Sequence, residues 1–124
     1  MFDAKFYRSM DNDILMKVYD PGTSATMASG LTEIKANDTD ATLEKHVPVI
    51  EVDGDLVTVT VGSIDHPMAD EHYITMIALV TTTGVQVAQL HPSQAPNASF
   101  ALNGAKAVKA YEYCNIHGLW VAQA

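Results

Sequence analysis

The sequence predicts an all-β protein, built as an antiparallel sandwich. Short runs rich in β-branched and aromatic residues recur along the chain, and Gly, Pro, Asn or Asp separate them. No segment has a convincing helical period over a long stretch. Many short strands joined by tight turns are typical of antiparallel sandwiches. At 124 residues, 48% of them apolar, the chain can form one domain with its own core, or one domain and a small appendage.

The first third of the chain has a weaker pattern than the rest. Two short strands are predicted at 5–8 and 14–19, with a turn at 10–13 between them, and Asp20-Pro21-Gly22 is a strong turn signal. This segment has few apolar residues for a core, so we expect it to pack on the rest of the chain or on a partner chain. Residues 35–42, rich in Asn, Asp and Thr, indicate a linker.

From Val47 onward the pattern is that of strands. Residues 47–52 and 56–61 flank Asp53-Gly54, a pair well suited to a type I′ hairpin turn. Four more strands follow, separated by turns that contain Gly, Pro or Asn, and they are predicted at 73–80, 85–90, 99–102 and 107–113.

Charge and composition exclude several classes of function. The net charge is −8 and the chain has only seven Lys and Arg, which argues against non-specific nucleic-acid binding. No apolar run is long enough to span a bilayer. The start of the chain has no basic residues followed by an apolar stretch, so we expect no secretory signal. A single cysteine cannot form an internal disulfide, and we expect a cytoplasmic location.

The residues best able to carry chemistry are the single cysteine and four of the five histidines. Cys114 and His117 form a Cys-x-x-His turn with Gly118 directly behind it. His46, His66 and His72 stand at strand boundaries, which meet at the two ends of a sandwich. Each alone would be read as a surface histidine or a small buried thiol. Together they could converge at one end, whereas His91, beside Pro92, is expected to be a surface residue.

Four imidazoles and a thiolate suit iron, copper or zinc. A structural zinc site closes at four ligands, whereas a square of nitrogens over one sulfur leaves a sixth position open for chemistry. Glu44 and Lys45 directly precede His46. They can be a solvated charged pair, or Lys45 can attract an anionic substrate while Glu44 reaches the open position.

Three motifs in this order resemble superoxide reductase, the desulfoferrodoxin and neelaredoxin group. They are Glu44-Lys45-His46-Val47-Pro48, His66-Pro67-Met68 with Glu71-His72-Tyr73, and Cys114 to Trp120. The resemblance covers roughly residues 40–120. It implies an immunoglobulin-like sandwich with one mononuclear non-haem iron, Fe2+ or Fe3+, in each chain. It also implies His46, His66, His72 and His117 as equatorial ligands, Cys114 as the axial ligand and Glu44 as a ligand that comes and goes.

The N-terminal segment resembles the small desulforedoxin-like domain of this family, where four cysteines hold a second iron. Here Ser9, Asn12, Thr26 and Met27 stand where those cysteines are expected, and none of them can supply a thiolate. We therefore expect residues 1–36 to be a desulforedoxin-like domain without metal, and residues 37–124 to be the iron-binding sandwich.

The resemblance further implies one-electron reduction of superoxide to hydrogen peroxide, with Lys45 attracting the anion. It implies a rubredoxin-like electron donor and a homodimer or homotetramer. A thiolate opposite the open position pushes electron density toward a bound ligand. We expect backbone N–H groups near Asn115 and Ile116 to donate to the sulfur.

Two other functions compete with this one. A cupredoxin-like electron-transfer protein also has a late Cys-x-x-His, but it uses two histidines and a weak axial Met, and Leu119 and Trp120 follow His117 instead. A non-catalytic metal-binding or structural relative is the second, given the altered N-terminal segment.

Overall fold

The computed structural model describes residues 2–21, 30–39, 46–62 and 65–124. These residues contain no α-helix and form an all-β protein, as predicted. The strands are β1 (Asp3–Arg8), β2 (Ile14–Tyr19), β3 (Thr32–Ile34), β4 (Pro48–Asp53), β5 (Leu56–Val61), β6 (Ile74–Thr81), β7 (Gly84–Gln89), β8 (Asn97–Ala101), β9 (Ala107–Cys114) and β10 (Gly118–Gln123).

Two antiparallel sheets form an immunoglobulin-like sandwich. One has four strands in the order β10-β9-β6-β7, and the other has three in the order β4-β5-β8. Their inner faces enclose a core to which β5 contributes Val57, Val59 and Val61 and β6 contributes Ile77 and Leu79. These five side chains are fully buried. The alternation of buried and exposed residues along β5 is what a strand with one face on a core requires.

A third sheet, in the order β2-β1-β3, covers the outer face of the four-stranded sheet. Phe6 of β1 packs in a second apolar cluster with Ala78 and Val80 of β6 and with Tyr111 and Tyr113 of β9. Strands β6 and β9 are therefore covered on both faces. This agrees with the expectation that the N-terminal segment packs on the rest of the chain.

Three details differ from the sequence prediction. In the β4–β5 hairpin, Asp53 pairs with Leu56, so the central residues are Gly54 and Asp55. Only Gly54 has a positive φ, 61°, whereas a type I′ turn needs positive φ at both central positions, so that assignment was wrong. Strands β3 and β10 were not predicted at all. Part of the expected linker is docked, because Asn37 pairs with Trp120 beside β10.

Polar contacts anchor the N-terminal sheet to the sandwich. The carboxylate of Asp3 accepts hydrogen bonds from Lys109 Nζ at 2.9 Å and from the Tyr111 hydroxyl at 2.8 Å. Arg8 donates to the Tyr113 hydroxyl. Burial tends to raise the pKa of Asp3, but the hydrogen bonds from Lys109, Ala4 and Tyr111 outweigh it and hold the pKa below its usual value. The folded structure therefore stabilises the carboxylate of Asp3 in its charged form.

Asp3→Asn should therefore lower the free energy of unfolding by about 1–3 kcal/mol at neutral pH, because the bonds made to a charged group are lost. The depressed pKa means that this contribution is present above the ordinary carboxyl pKa of 3.8 and is lost as the pH falls through the folded value. The difference between wild type and variant in urea unfolding should vanish in acid. Asp53→Asn, at an exposed hairpin position, is the control and should change little. An equal loss in both variants would contradict the anchoring role.

No helix in the described ranges has the length and apolar character needed to cross a membrane.

Candidate metal centre

Cys114 ends β9 and Gly118 begins β10, so the Cys-x-x-His motif is the turn of a hairpin. Cys114 and Gly118 are paired across this turn, and Gly118 has φ 86°, a conformation that favours glycine. The motif was expected to follow the last strand, but a strand continues beyond it. The turn leaves Cys114 fully buried and His117 exposed, with the His117 N–H 3.4 Å from the sulfur.

Three of the other four histidines lie in segments that adjoin β4, β5 and β6. His46 lies two residues before β4, and His66 and His72 lie between β5 and β6. His72 closes a two-residue turn with Ala69, since each backbone N–H donates to the other residue's carbonyl, at 3.0 and 3.1 Å. A bulge at Thr75 then shifts the register of β6 against β9, and Ile74 pairs with Cys114. Bulges often re-aim side chains beside functional sites.

The four imidazoles form a closed ring of neighbours. Taken round the ring, the centroids of His46 and His66 are 4.9 Å apart, those of His66 and His72 4.7 Å, those of His72 and His117 5.0 Å, and those of His117 and His46 4.6 Å. The interplanar angles lie between 64° and 82°, so each ring meets its neighbour edge to face. One nitrogen of each ring lies within 4.8 Å of one nitrogen of every other ring.

The sulfur of Cys114 completes this group. It lies 3.6 Å from His66 Nε2 and 3.8 Å from His117 Nδ1. One ligand atom from each of the four histidines and the cysteine can be chosen so that all five lie within 4.8 Å of one another. The sequence prediction that these residues converge is therefore confirmed as a statement of geometry.

The donor set fits a single transition-metal ion. His46 Nε2 and His117 Nδ1 are 3.0 Å apart. Neighbouring nitrogens in a square, each about 2.1 Å from a first-row metal, are separated by about this distance. Four imidazoles with one thiolate favour iron, copper or zinc over calcium and magnesium.

His66 is prepared for metal binding by its surroundings. Its Nδ1 lies 2.7 Å from the carbonyl of Pro67, which fixes the proton there and leaves Nε2 as the free donor toward the cluster. Burial, opposed by that hydrogen bond and assisted by the neighbouring histidines, lowers the pKa of His66 to about 4. The ring is therefore neutral at neutral pH, as a metal ligand must be.

Opposing influences act on the thiol of Cys114, and their net effect is to raise its pKa. Burial raises its pKa, the backbone N–H groups of His117 and Ile116 lower it, and the charge of Glu112 raises it. We expected the donors to be N–H groups near Asn115 and Ile116, and they are those of Ile116 and His117. The Asn115 N–H donates instead to the Tyr73 carbonyl at 3.2 Å. A bound cation would favour the thiolate.

Trp120 supports two of the histidines, a role that the sequence did not predict. Its ring stacks on His46 with centroids 4.8 Å apart and planes 17° from parallel. Its indole N–H donates to the His117 carbonyl at 3.2 Å. The sequence does show a tryptophan three residues after His117, and this spacing is the feature that could have indicated the contact.

Two of the residues singled out in the sequence, Glu44 and Lys45, lie outside the described residues. His91 is exposed and does not belong to the cluster, in agreement with its assignment to the surface. The cluster holds twice the two histidines of a blue-copper site, which argues against the cupredoxin alternative.

Comparison with known proteins identifies the family of the chain. The family model for desulfoferrodoxin matches residues 38–123. A desulfoferrodoxin homolog from Archaeoglobus fulgidus is 41% identical over 118 residues, 92% of each chain. Desulfoferrodoxin from Clostridium acetobutylicum is 43% identical over 102 residues, 82% of this chain and 80% of that one. The crystal structure of the superoxide reductase from Treponema pallidum superposes with a TM-score of 0.81 at 34% identity, covering 98% of both chains. The chain belongs to the desulfoferrodoxin family.

Proposed function

We infer that the protein is a superoxide reductase, an oxidoreductase that detoxifies superoxide. The reaction adds one electron and two protons to superoxide and gives hydrogen peroxide. The observation that carries this conclusion is the convergence of four imidazoles and one thiol within 4.8 Å. It occurs in a fold that matches a superoxide reductase over nearly its whole length.

We propose that His46, His66, His72 and His117, through one ring nitrogen each, and Cys114, through its sulfur, would hold one iron ion. When bound, the iron supplies the electron by cycling between Fe2+ and Fe3+. The closed ring of imidazoles supports the assignment of the four nitrogens. The position of the Cys114 sulfur, 3.6 Å from His66 Nε2 and 3.8 Å from His117 Nδ1, supports the fifth donor.

The residues around Cys114 would set the electron density on its sulfur. The His117 N–H, 3.4 Å from the sulfur, stabilises negative charge there and so weakens its donation. The carboxyl of Glu112, fully buried two residues before Cys114, opposes that effect through its charge. Hydrogen bonding to a ligand sulfur is one of the ways in which a protein tunes an iron centre.

We propose catalytic roles for Glu44 and Lys45 from their position beside His46. The chain carries a net charge of −8, which repels an anion, so a local cation is needed to attract superoxide. Lys45 supplies it next to a ligand, and it can orient a water molecule that donates a proton. Glu44 is proposed as a carboxylate that would bind the metal when substrate is absent.

Lys45→Ala should lower the second-order rate constant for superoxide about tenfold or more, because local charge changes steered association by factors of about 10–1000. The dependence of that rate on ionic strength should change as well. Pulse radiolysis at several salt concentrations measures both quantities. Lys106→Ala is the control, because it removes an exposed lysine directly before β9, and Cys114 lies at the far end of that strand. It should leave the rate nearly unchanged. Equal rates for the Lys45 variant and wild type would remove Lys45 from the mechanism.

We propose that residues 1–36 are a desulforedoxin-like domain without metal, and that residues 37–124 are the catalytic domain. The start of the family match at residue 38 supports this division. In the N-terminal sheet, two side chains at expected cysteine positions make hydrogen bonds instead. Ser9 Oγ accepts from the Asp13 N–H at 3.0 Å, and Asn12 Oδ1 accepts from Arg8 at 2.8 Å. Thr26 and Met27 lie outside the described residues.

We also propose a rubredoxin-like protein as electron donor, a homodimer or homotetramer as the assembly, and the cytoplasm as the location. A chain with one proposed iron needs an external source of electrons. A reducing compartment suits a protein whose only cysteine is proposed as a metal ligand.

Metal analysis with absorption spectroscopy of anaerobically purified protein tests the function. One iron per chain and a thiolate-to-ferric band that disappears on reduction are expected, with one peroxide formed for each superoxide consumed. Glu44→Ala should shift that band. Copper with an intense blue band would show an electron-transfer protein instead, and the absence of any metal uptake would leave a structural role.

A further inference from the structure

Asn115, the first residue of the turn between β9 and β10, reaches across to the segment that carries His72. Its side-chain amide donates to the Glu71 carbonyl at 3.1 Å, and its side-chain oxygen accepts from the Tyr73 N–H at 2.9 Å. Its own backbone N–H donates to the Tyr73 carbonyl at 3.2 Å. One residue thus bonds to the main chain on both sides of His72.

These hydrogen bonds lie directly beside two of the proposed metal ligands, Cys114 and His72. Asn115 directly follows Cys114, and the residues that it holds directly precede and follow His72. The main chain of His72 is held independently by its reciprocal bonds with Ala69. The segment is therefore fixed internally by Ala69, while Asn115 fixes it against the Cys114–His117 turn.

Asparagine is the side chain that this arrangement requires. It must donate to a carbonyl and accept from an N–H two residues further on, and a carboxamide carries both functions on one planar group. Aspartate at this position can only accept when ionised, and alanine can do neither. Because Asn115 is exposed, its hydrogen bonds compete with water and contribute little to global stability.

We propose that Asn115 is a positioning residue of the metal centre, which holds the His72 ligand in register with the Cys114 sulfur. The proposal rests on the proposed function, because it takes these two side chains as ligands of one ion. Loss of the Asn115 side chain should affect the metal site and leave the rest of the fold unchanged. Without the side-chain bonds of Asn115, the Asn115 N–H bond to Tyr73 and the pairing of Ile74 with Cys114 still join the two segments, but the His72 segment is held less firmly and the metal must order it when it binds.

The test uses full-length protein with Co2+ as the probe, since cobalt shows both a thiolate band and bands that report its coordination geometry. Asn115→Ala should bind Co2+ about tenfold more weakly or worse, as is typical when a partner that orients a ligand is lost. Its thiolate and geometry bands should be shifted. In metal-free protein, the amide of Tyr73 should exchange with solvent about tenfold faster or more, while the melting temperature falls by only a few degrees.

Two variants sharpen this test. Asn115→Asp keeps the acceptor for the Tyr73 N–H and loses the donor to Glu71, so it should preserve slow exchange at Tyr73 while still altering the cobalt spectrum. Asn97→Ala removes an exposed asparagine from β8 and should match wild type in all measurements. Unchanged cobalt affinity, spectrum and Tyr73 exchange in Asn115→Ala, with normal binding by wild type, would overturn this proposal alone. Failure of wild type to bind Co2+ or Fe2+ through the thiol would overturn the proposed function and this inference with it.

Discussion

Replacing Cys114 by serine is expected to remove the visible thiolate band and to lower the rate of superoxide reduction about a hundredfold or more. Loss of a residue that merely orients a ligand costs about 10–100-fold, and loss of the ligand itself costs at least as much. Serine keeps the size of the side chain, but its hydroxyl is a far weaker donor of electron density than a thiolate. Stopped-flow mixing with superoxide and an absorption spectrum of the oxidised protein measure the two effects.

The control for this experiment must separate chemistry from packing, because Cys114 is fully buried. Ala110→Ser places a hydroxyl at another fully buried position on the same strand, and both residues belong to the same core cluster. It should lower stability by a similar amount and leave the spectrum and rate constant intact. A Cys114→Ser protein that retains iron, the visible band and the wild-type rate would show that the sulfur is not a ligand.

The sequence was most informative where strands alternate and turns are marked by glycine or proline. The hairpin of β4 and β5 was located within one residue, because Val57, Val59 and Val61 alternate with threonines in β5 and Asp53-Gly54 marks the turn before it. Strand β10 was not predicted, because the Cys-x-x-His motif was expected to follow the last strand, whereas it forms the turn of a hairpin. Strand β3 has only three residues, too few for a period to show.

The convergence of the four histidines and Cys114 could be predicted from the sequence, but the contacts that support these residues could not. His46, His66 and His72 stand beside strand ends, and the ends of sandwich strands meet. The bulge at Thr75 and the bonds of Asn115 depend on which residues pair across β6 and β9, and that register is set by packing of both sheet faces. No local pattern in the sequence encodes it.

Because four histidines and one cysteine converge in the folded chain, we expect a bound metal ion to contribute a large part of the free energy of unfolding. At a free metal concentration a thousandfold above the dissociation constant, an ion that binds only the folded state stabilises it by about 4 kcal/mol. For a domain of this size that is a rise in melting temperature of roughly 15 °C. Calorimetry of chelator-treated protein, before and after anaerobic addition of Fe2+, should show this shift.

The stabilisation by metal should depend on pH and should increase as the pH rises. Burial raises the pKa of Cys114 in the metal-free protein, so metal binding must displace the thiol proton, whereas His66, with a pKa of about 4, is already neutral. Metal affinity should therefore increase with pH, by about tenfold per unit while the thiol remains protonated.

His66→Ala removes a proposed ligand and should abolish most of the thermal shift. His91→Ala removes an exposed histidine outside the cluster and should retain it in full. Equal shifts in the two variants would mean that the metal stabilises the fold from some other place. Both variants lose one imidazole. A difference between their thermal shifts therefore depends on where the histidine lies in the structure and not on the loss of a histidine as such.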